Sequence, residues 1–385
     1  MVFAIVPRIS TIAVLEGCGG CCAFRARRIA GTAHRAALLD DLPAAAHAGR
    51  MGAGAEPSAG PSVRTRQVRP ACAFHGSDRL QSIQHDDGQP APATRLYALL
   101  AREGRSGVIF RRGPSKQVQL IRWDLRDDSF EHGQWFKGRI YERRCDLSPS
   151  GRLLVYFASK QQGDFVTWTA LSRPPFLTAL ALWPKGDCWG GGGVFEDERT
   201  LLLNHRPQEG RDPFPLPTGF QLPHDMQVRP LGRGSGGGED EPIDSVLRQR
   251  DGWQVIDAGA GEIGALTADV MYRFTRPRVW EKPGANGRRL QSLLQSIGRE
   301  NAAWYELDYR VLDRDGAVLL DLPGTDWADW DGGDLLFARN GCLYRLVKSD
   351  FRRYAQEGEQ VFRLLHDFTR ARFAPLAPAA DALKY

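Results

Sequence analysis

The segment DLSPSGRLLVYFA, Asp146 to Ala158, carries the two signals that decide the fold. Pro149 fixes φ and Gly151 tolerates the left-handed region, so Ser148 to Gly151 reads as a tight turn. Arg152 to Ser159 then reads as a strand: a short apolar run bounded by turns. Working outward, the same alternation of polar turn and short apolar run recurs. Upstream lie LYALLA from Leu96, VIFRRG from Val108 and KQVQLIRWDL from Lys116, followed by the turn Arg126-Asp127-Asp128. Downstream, DFVTWTALSRPP ends at Pro174-Pro175, and FLTALALWP follows it from Phe176. Gly190 to Gly193 reads as a tight turn beside Trp189; with no GK[ST] after it, it is no phosphate loop.

The C-terminal third repeats the scheme. Ala302 to Gly324 reads as strand, Asp-Arg-Asp-Gly turn, strand, and Thr325 to Lys348 as two more strands. Asn340-Gly341 favours a two-residue hairpin turn with both residues at positive φ. Two segments read as helices instead. In RRLQSLLQSIGRE, Leu290, Leu293, Leu294 and Ile297 recur at helical spacing. QVFRLLHDFTRARF, Gln360 to Phe373, reads as a terminal helix. Between the two halves, residues 206–250 are rich in Pro and Gly and read as a surface loop.

The turn and strand of DLSPSGRLLVYFA resemble a repeat unit of WD40-like and TolB-like β-propellers, and ADWDGGDLLFARNGCLYRL, Ala328 to Leu346, is similar to a second such unit. The resemblance implies short antiparallel sheets arranged radially, each protecting its neighbour's edges, on a scaffold that binds proteins or peptides. The WD dipeptides Trp123-Asp124 and Trp330-Asp331 lack the Gly-His of a true WD40 repeat. The expected class is therefore mainly β, an irregular propeller-like fold with short antiparallel sheets and minor helices. A two-sheet sandwich is the structural rival.

Composition agrees with a packed domain. Of 385 residues, 42% are hydrophobic and 25% charged, with 42 Gly and 24 Pro, which disfavours a mostly helical chain. No run of 18 apolar residues occurs, so no membrane span is expected. All ten Trp and all nine Tyr lie beyond residue 94. The stretch 1–93, rich in Ala, Gly, Arg and Pro, is expected to be a disordered extension or the product of a mis-assigned start. The organisation expected is this extension, a β domain over 94–373 and a tail over 374–385.

The first 92 residues carry ten Arg and seven acids; the remainder carries 41 bases and 39 acids. A nearly neutral domain argues against nucleic acid as partner. Seven scattered Cys form no disulfide framework, and a reducing, cytoplasmic setting is expected. No metal or cofactor motif is found, so none is expected.

The functional residues are sought where bases interleave with rings, since Arg, Tyr and Trp supply interface anchors. WFKGRIYERR gives Trp135, Arg139, Tyr141 and Arg143; MYRFTRPRVWEKP gives Arg276 and Trp280. The expected role is non-catalytic recognition of another protein. The alternative is a hydrolase at the central opening, for which Glu131, Glu142 and Asp146 are the carboxylates near an aromatic stretch, glycosidase fashion. His224-Asp225 is the remaining catalytic candidate. Trp123, Tyr156, Phe157 and Trp304 are expected in the core.

Overall fold

The computed structural model describes residues 94–113, 116–160, 163, 165–206, 215–263, 270–299 and 303–385. The expected N-terminal extension over 1–93 lies outside them. Five sheets follow one another along the described chain. Sheet I holds β1 (Arg95–Leu100), β2 (Ser106–Arg112), β3 (Gln117–Asp124) and β4 (Ser129–Lys137), in that order and antiparallel. Sheet II holds β5 (Arg139–Ile140) and β6 (Asp146–Leu147), both on β7 (Leu154–Ser159), then β8 (Thr167–Ser172) and β9 (Ala179–Pro184). Sheet III holds β10 (Gly193–Phe195), β11 (Thr200–Leu203) and β12 (Gln227–Pro230), the last parallel to β11.

Helix α1 (Ile243–Arg250) leads into sheet IV. There β13 (Gln254–Asp257) and β14 (Ala260–Ile263) pair with β15 (Tyr272–Pro283), followed by β16 (Arg289–Ile297), β17 (Tyr305–Leu312) and β18 (Val318–Leu322). Sheet V is a meander of β19 (Thr325–Asp331), β20 (Asp334–Arg339), β21 (Cys342–Leu346) and β22 (Arg363–Asp367), with helix α2 (Phe351–Glu357) before its last strand. The described chain is thus mainly β, built from separate, open and almost wholly antiparallel sheets.

Period-two alternation explains why the strands read as continuous apolar runs. All six residues of β7 are buried. Leu154, Tyr156 and Ala158 join a core with Val108, Phe110, Val118 and Leu120 of sheet I. Val155, between them, joins Phe195, Leu201 and Leu203 of sheet III. A strand sandwiched between two neighbouring sheets needs apolar side chains on both faces. Sheet I divides in the same way: Ile109, Ile121 and Trp123 face Trp327, Leu336 and Leu343 of sheet V. Ala328, Trp330, Leu335 and Phe337 of sheet V in turn pack with Trp280, Leu290 and Val311 of sheet IV. Helix α1 covers sheet III through Ile243 and Leu247 against Val194. Its Arg248 guanidinium lies 5.4 Å from the Trp280 ring of sheet IV. The packing order is therefore cyclic: I on II, II on III, III through α1 to IV, IV on V, and V back on I.

Two expected helices are strands. The Leu290–Ile297 spacing comes from β16 and a bulge. Leu294 faces Leu307, but the next pair is Ser296 with Glu306, leaving Gln295 extra. The bulge reverses the alternation. Ile297 thereby rejoins the face of Leu290 and Leu294, and an i, i+4, i+7 pattern arises without helix. Gln360–Phe373 contains β22, which pairs with β21; the helix lies earlier, at Phe351–Glu357. The stretch 206–250 read as loop contributes β12 and α1 in its described part.

The turns fall where expected. Asn340 and Gly341 both have positive φ, 54° and 74°, in the two-residue link from β20 to β21. At Gly192, with φ of 80°, a Cβ would stand 1.9 Å from the Arg144 carbonyl oxygen, so only glycine fits. Trp123, Tyr156 and Phe157 are buried as expected, whereas Trp304 is only half-buried.

Candidate functional site: a central arginine–carboxylate cavity

A cavity of about 390 Å³ opens where four of the five sheets and the loop before α1 converge. Thr94 to Tyr97 and Arg112 come from sheet I, Arg139 to Arg143 from sheet II, and Asp240 from the loop. Ala303 to Leu307 come from the start of β17, and Gly324 to Asp326 from the start of β19. The cyclic packing brings these strand ends together.

Most charges in the wall are matched. Arg112 Nη1 donates to Glu142 Oε1 at 2.7 Å, tying sheet I to sheet II. Arg143, buried in the short turn after β5, donates to Asp244 Oδ2 of α1 at 3.2 Å and lies 4.2 Å from the Tyr305 ring. Asp240 accepts from Arg144 Nε and from the Tyr305 hydroxyl. Arg144, fully buried, also donates to the carbonyls of Cys188 at 2.7 Å and Gly190 at 2.6 Å. Glu306 accepts from Arg299 and Ser296. Arg139 stacks 4.5 Å from the Tyr141 ring and 5.9 Å from Trp304, a cation–π arrangement.

The carboxyls are driven apart in acidity. Burial pushes the Asp326 carboxyl up to about 7, and the charge of Glu142 adds to this; the Leu96 N–H, Arg95 and Arg112 oppose it. Burial works most strongly against ionisation of Glu142, but Arg112, the Glu142 backbone N–H and Arg139 together outweigh it and hold the carboxyl below its usual range. Glu239, against Arg144, is pushed up to about 7 by burial and by Asp240.

Three residues singled out from the sequence, Arg139, Tyr141 and Arg143, stand together in this wall. Trp135 does not: its ring lies on sheet I, 5.2 Å from the Arg111 guanidinium and 5.8 Å from the Phe373 ring. Arg276 is on the exposed side of β15, paired with Asp257. Trp280 is 5% exposed, inside the core between sheets IV and V. Of the carboxylates, Glu142 lines the cavity; Asp146 is buried against Arg250, and Glu131 pairs with Arg122 at the surface. His224 is exposed, and Asp225 pairs with Arg199 at 3.1 Å. Arg95, Tyr305 and Asp326 went unnoticed in the sequence. Their available signal is position: Arg95 and Asp326 are polar residues at the very start of β1 and β19, where an apolar run would otherwise begin.

Among the described residues no three His, Cys, Asp or Glu side chains cluster in a way that would hold a metal ion. No helix among them is long and apolar enough to cross a membrane. No family model matches the chain, and no curated protein matches it. Among solved structures, prolyl oligopeptidase B from Galerina marginata, in its apo form, is 10% identical, with a TM-score of 0.28 over 73% of this chain. This chain covers 52% of that enzyme, about half its length. An uncharacterized protein from Listeria monocytogenes EGD-e is 8% identical, with a TM-score of 0.24 over 76% of this chain and 87% of that one. Likenesses this slight carry no argument about fold or activity.

Proposed function

We propose that this protein is a non-catalytic recognition module of propeller type, whose five sheets act as blades and whose central cavity receives part of a protein partner in the cytoplasm. The observation that supports it most is the composition of the cavity wall. Arg139 on Tyr141 and Arg143 on Tyr305 are preformed arginine–aromatic stacks, the side-chain types that dominate interface energetics. Arg143 is also held by Asp244, and side chains fixed before binding lose little freedom on it. A volume of about 390 Å³ admits one large side chain or a peptide terminus, at the lower end of ligand-pocket sizes. Cys145 and Cys342 are free thiols, which fits a reducing compartment.

The test is retention of proteins from native lysate on the full-length protein and on an Arg139→Ala/Trp304→Ala variant, with circular dichroism as fold control. The expected result is a stoichiometric protein kept through a salt wash by the wild type and lost by the folded variant. Equal retention by both contradicts the cavity reading. Nucleic acid released by salt, with no protein, replaces the partner class.

One observation favours a hydrolase as the second reading: Glu142 and Asp326 share a cavity and are driven to opposite acidities, the pattern of an acid and base pair. Against it, the Glu142 carboxylate is already engaged by Arg112. Turnover of glycoside or ester substrates by the wild type and not by Asp326→Asn would promote this reading.

A further inference from the structure

Two histidines meet where sheet V closes on sheet I, away from the central cavity, whose lining holds neither. His132 lies on β4, the last strand of sheet I, and His366 on β22, the last strand of sheet V. Period-two alternation puts Phe130 and His132 on one face of β4, and His366 and Phe368 on one face at the end of β22. The four rings interlock: His366 stands 5.3 Å from Phe130 and 4.3 Å from Phe368, and His132 stands 5.9 Å from Phe368. The two imidazole centroids are 5.5 Å apart, with their planes tilted by 56°. His132 is exposed and His366 half-buried, so water and small ions reach the pair. Among the described residues neither imidazole makes a hydrogen bond. The carboxylates next to them in sequence are engaged elsewhere, Glu131 with Arg122 at 3.4 Å and Asp367 with Thr369 at 2.6 Å.

We propose that this pair binds a divalent transition-metal ion of the zinc class and so staples the last sheet to the first. Neutral imidazole is the commonest protein ligand for such ions, whereas magnesium and calcium prefer oxygen. The spacing fits. A nitrogen–metal bond of about 2.1 Å places the ion roughly 3.2 Å from the centroid of each ring it joins. Two such arms spanning the observed 5.5 Å meet at roughly 120°, close to the ~109° of a tetrahedral centre. The exposed His132 ring turns a nitrogen toward His366 about a soft torsion. No third His, Cys, Asp or Glu joins the pair among the described residues, so water completes the shell. With one ligand from the first sheet and one from the last, the site exists only in the folded chain. Metal that binds there therefore raises folding stability.

The test is the urea midpoint of the full-length protein, stripped with EDTA and then supplied with Zn2+ or with Mg2+, and followed by tryptophan fluorescence. Cys18, Cys21 and Cys22 are thiols able to take zinc as well. The readout is therefore the midpoint and its difference between variants, not the total metal bound. With zinc about a hundredfold above its Kd, the wild-type midpoint should rise by roughly 0.5–1 M, and magnesium should leave it unchanged. His132→Gln, at an exposed position, should keep the metal-free midpoint and lose the zinc-dependent rise. His366→Gln should lose it too, and His132→Gln decides the matter if the half-buried substitution does not fold. A rise that survives in His132→Gln places the zinc elsewhere and overturns the proposal. So does no rise in the wild type, or an equal one with magnesium. None of these outcomes touches the cavity reading, which stands or falls by the lysate experiment.

Discussion

Two of the arginine–carboxylate clusters among the described residues close in different ways. One joins the last sheet to the first. Arg345 reaches Asp128 at 2.7 Å, Asp331 at 2.8 Å and Asp334 at 3.0 Å, while Arg105 also binds Asp331 and the Trp123 N–H reaches Asp128. The major donors and acceptors there are matched within the chain. The other cluster lines the central cavity, where Arg112 pairs with Glu142 and Asp326 is pushed up to about 7 by burial. Similar residue types thus close on one another as a clasp between the last sheet and the first, and line an open cavity where four sheets converge.

If that contrast is right, the largest effect belongs to the clasp. Arg345→Met leaves Asp128, Asp331 and Asp334 facing one another, the first two largely buried. Stability in urea should fall on the order of 3 kcal/mol, as when one member of a buried ion pair is removed. A loss no larger than that of a surface arginine would show that the clasp is ornamental. Arg112→Met should cost less, about 1–2 kcal/mol, since both partners of that pair remain partly open to water.

The third effect is a pH slope. Asp326 titrates near 7 in the folded chain against a usual value near 3.8. Between these values the folded state holds a proton that the unfolded state has released. The associated stability is therefore fully present below the unfolded value and is lost as pH rises towards 7. Asp326→Asn should flatten that part of the urea-midpoint profile between pH 4 and 7. Parallel profiles would place the slope elsewhere, with Glu239 as the next candidate. The smallest effect is Thr325→Val in the free protein: a shift within about 0.5 kcal/mol, or a slight gain, because no hydrogen bond is lost.

Strands and turns were legible because they depend on local chemistry. Ser-Pro-Ser-Gly and Asn340-Gly341 declare their backbone conformation, and β7 declares burial on both faces. The helix read at Leu290–Ile297 was a bulged strand, and a single extra residue, Gln295, produced the deceptive spacing. Periodicity cannot see a bulge, since its cause is the partner strand. The cavity was half legible. Arg139, Tyr141 and Arg143 are neighbours in sequence and stayed neighbours in space. Arg95, Trp304 and Asp326 meet them only through the cyclic packing of sheets, a long-range consequence that no local pattern records. Trp280 shows the converse, since an arginine–aromatic stretch on a strand sends alternate residues inward.

The most direct test of the central claim is a photo-crosslinking residue placed at Asn340, exposed at the cavity's edge, and in a second variant at Ile256, exposed on β13 away from it. Each full-length variant would be irradiated in native lysate. The expected result is a discrete crosslinked protein from position 340, abolished by Arg139→Ala/Trp304→Ala, and none from position 256. A crosslink from position 256 alone, or one from 340 that survives Arg139→Ala/Trp304→Ala, would contradict the account.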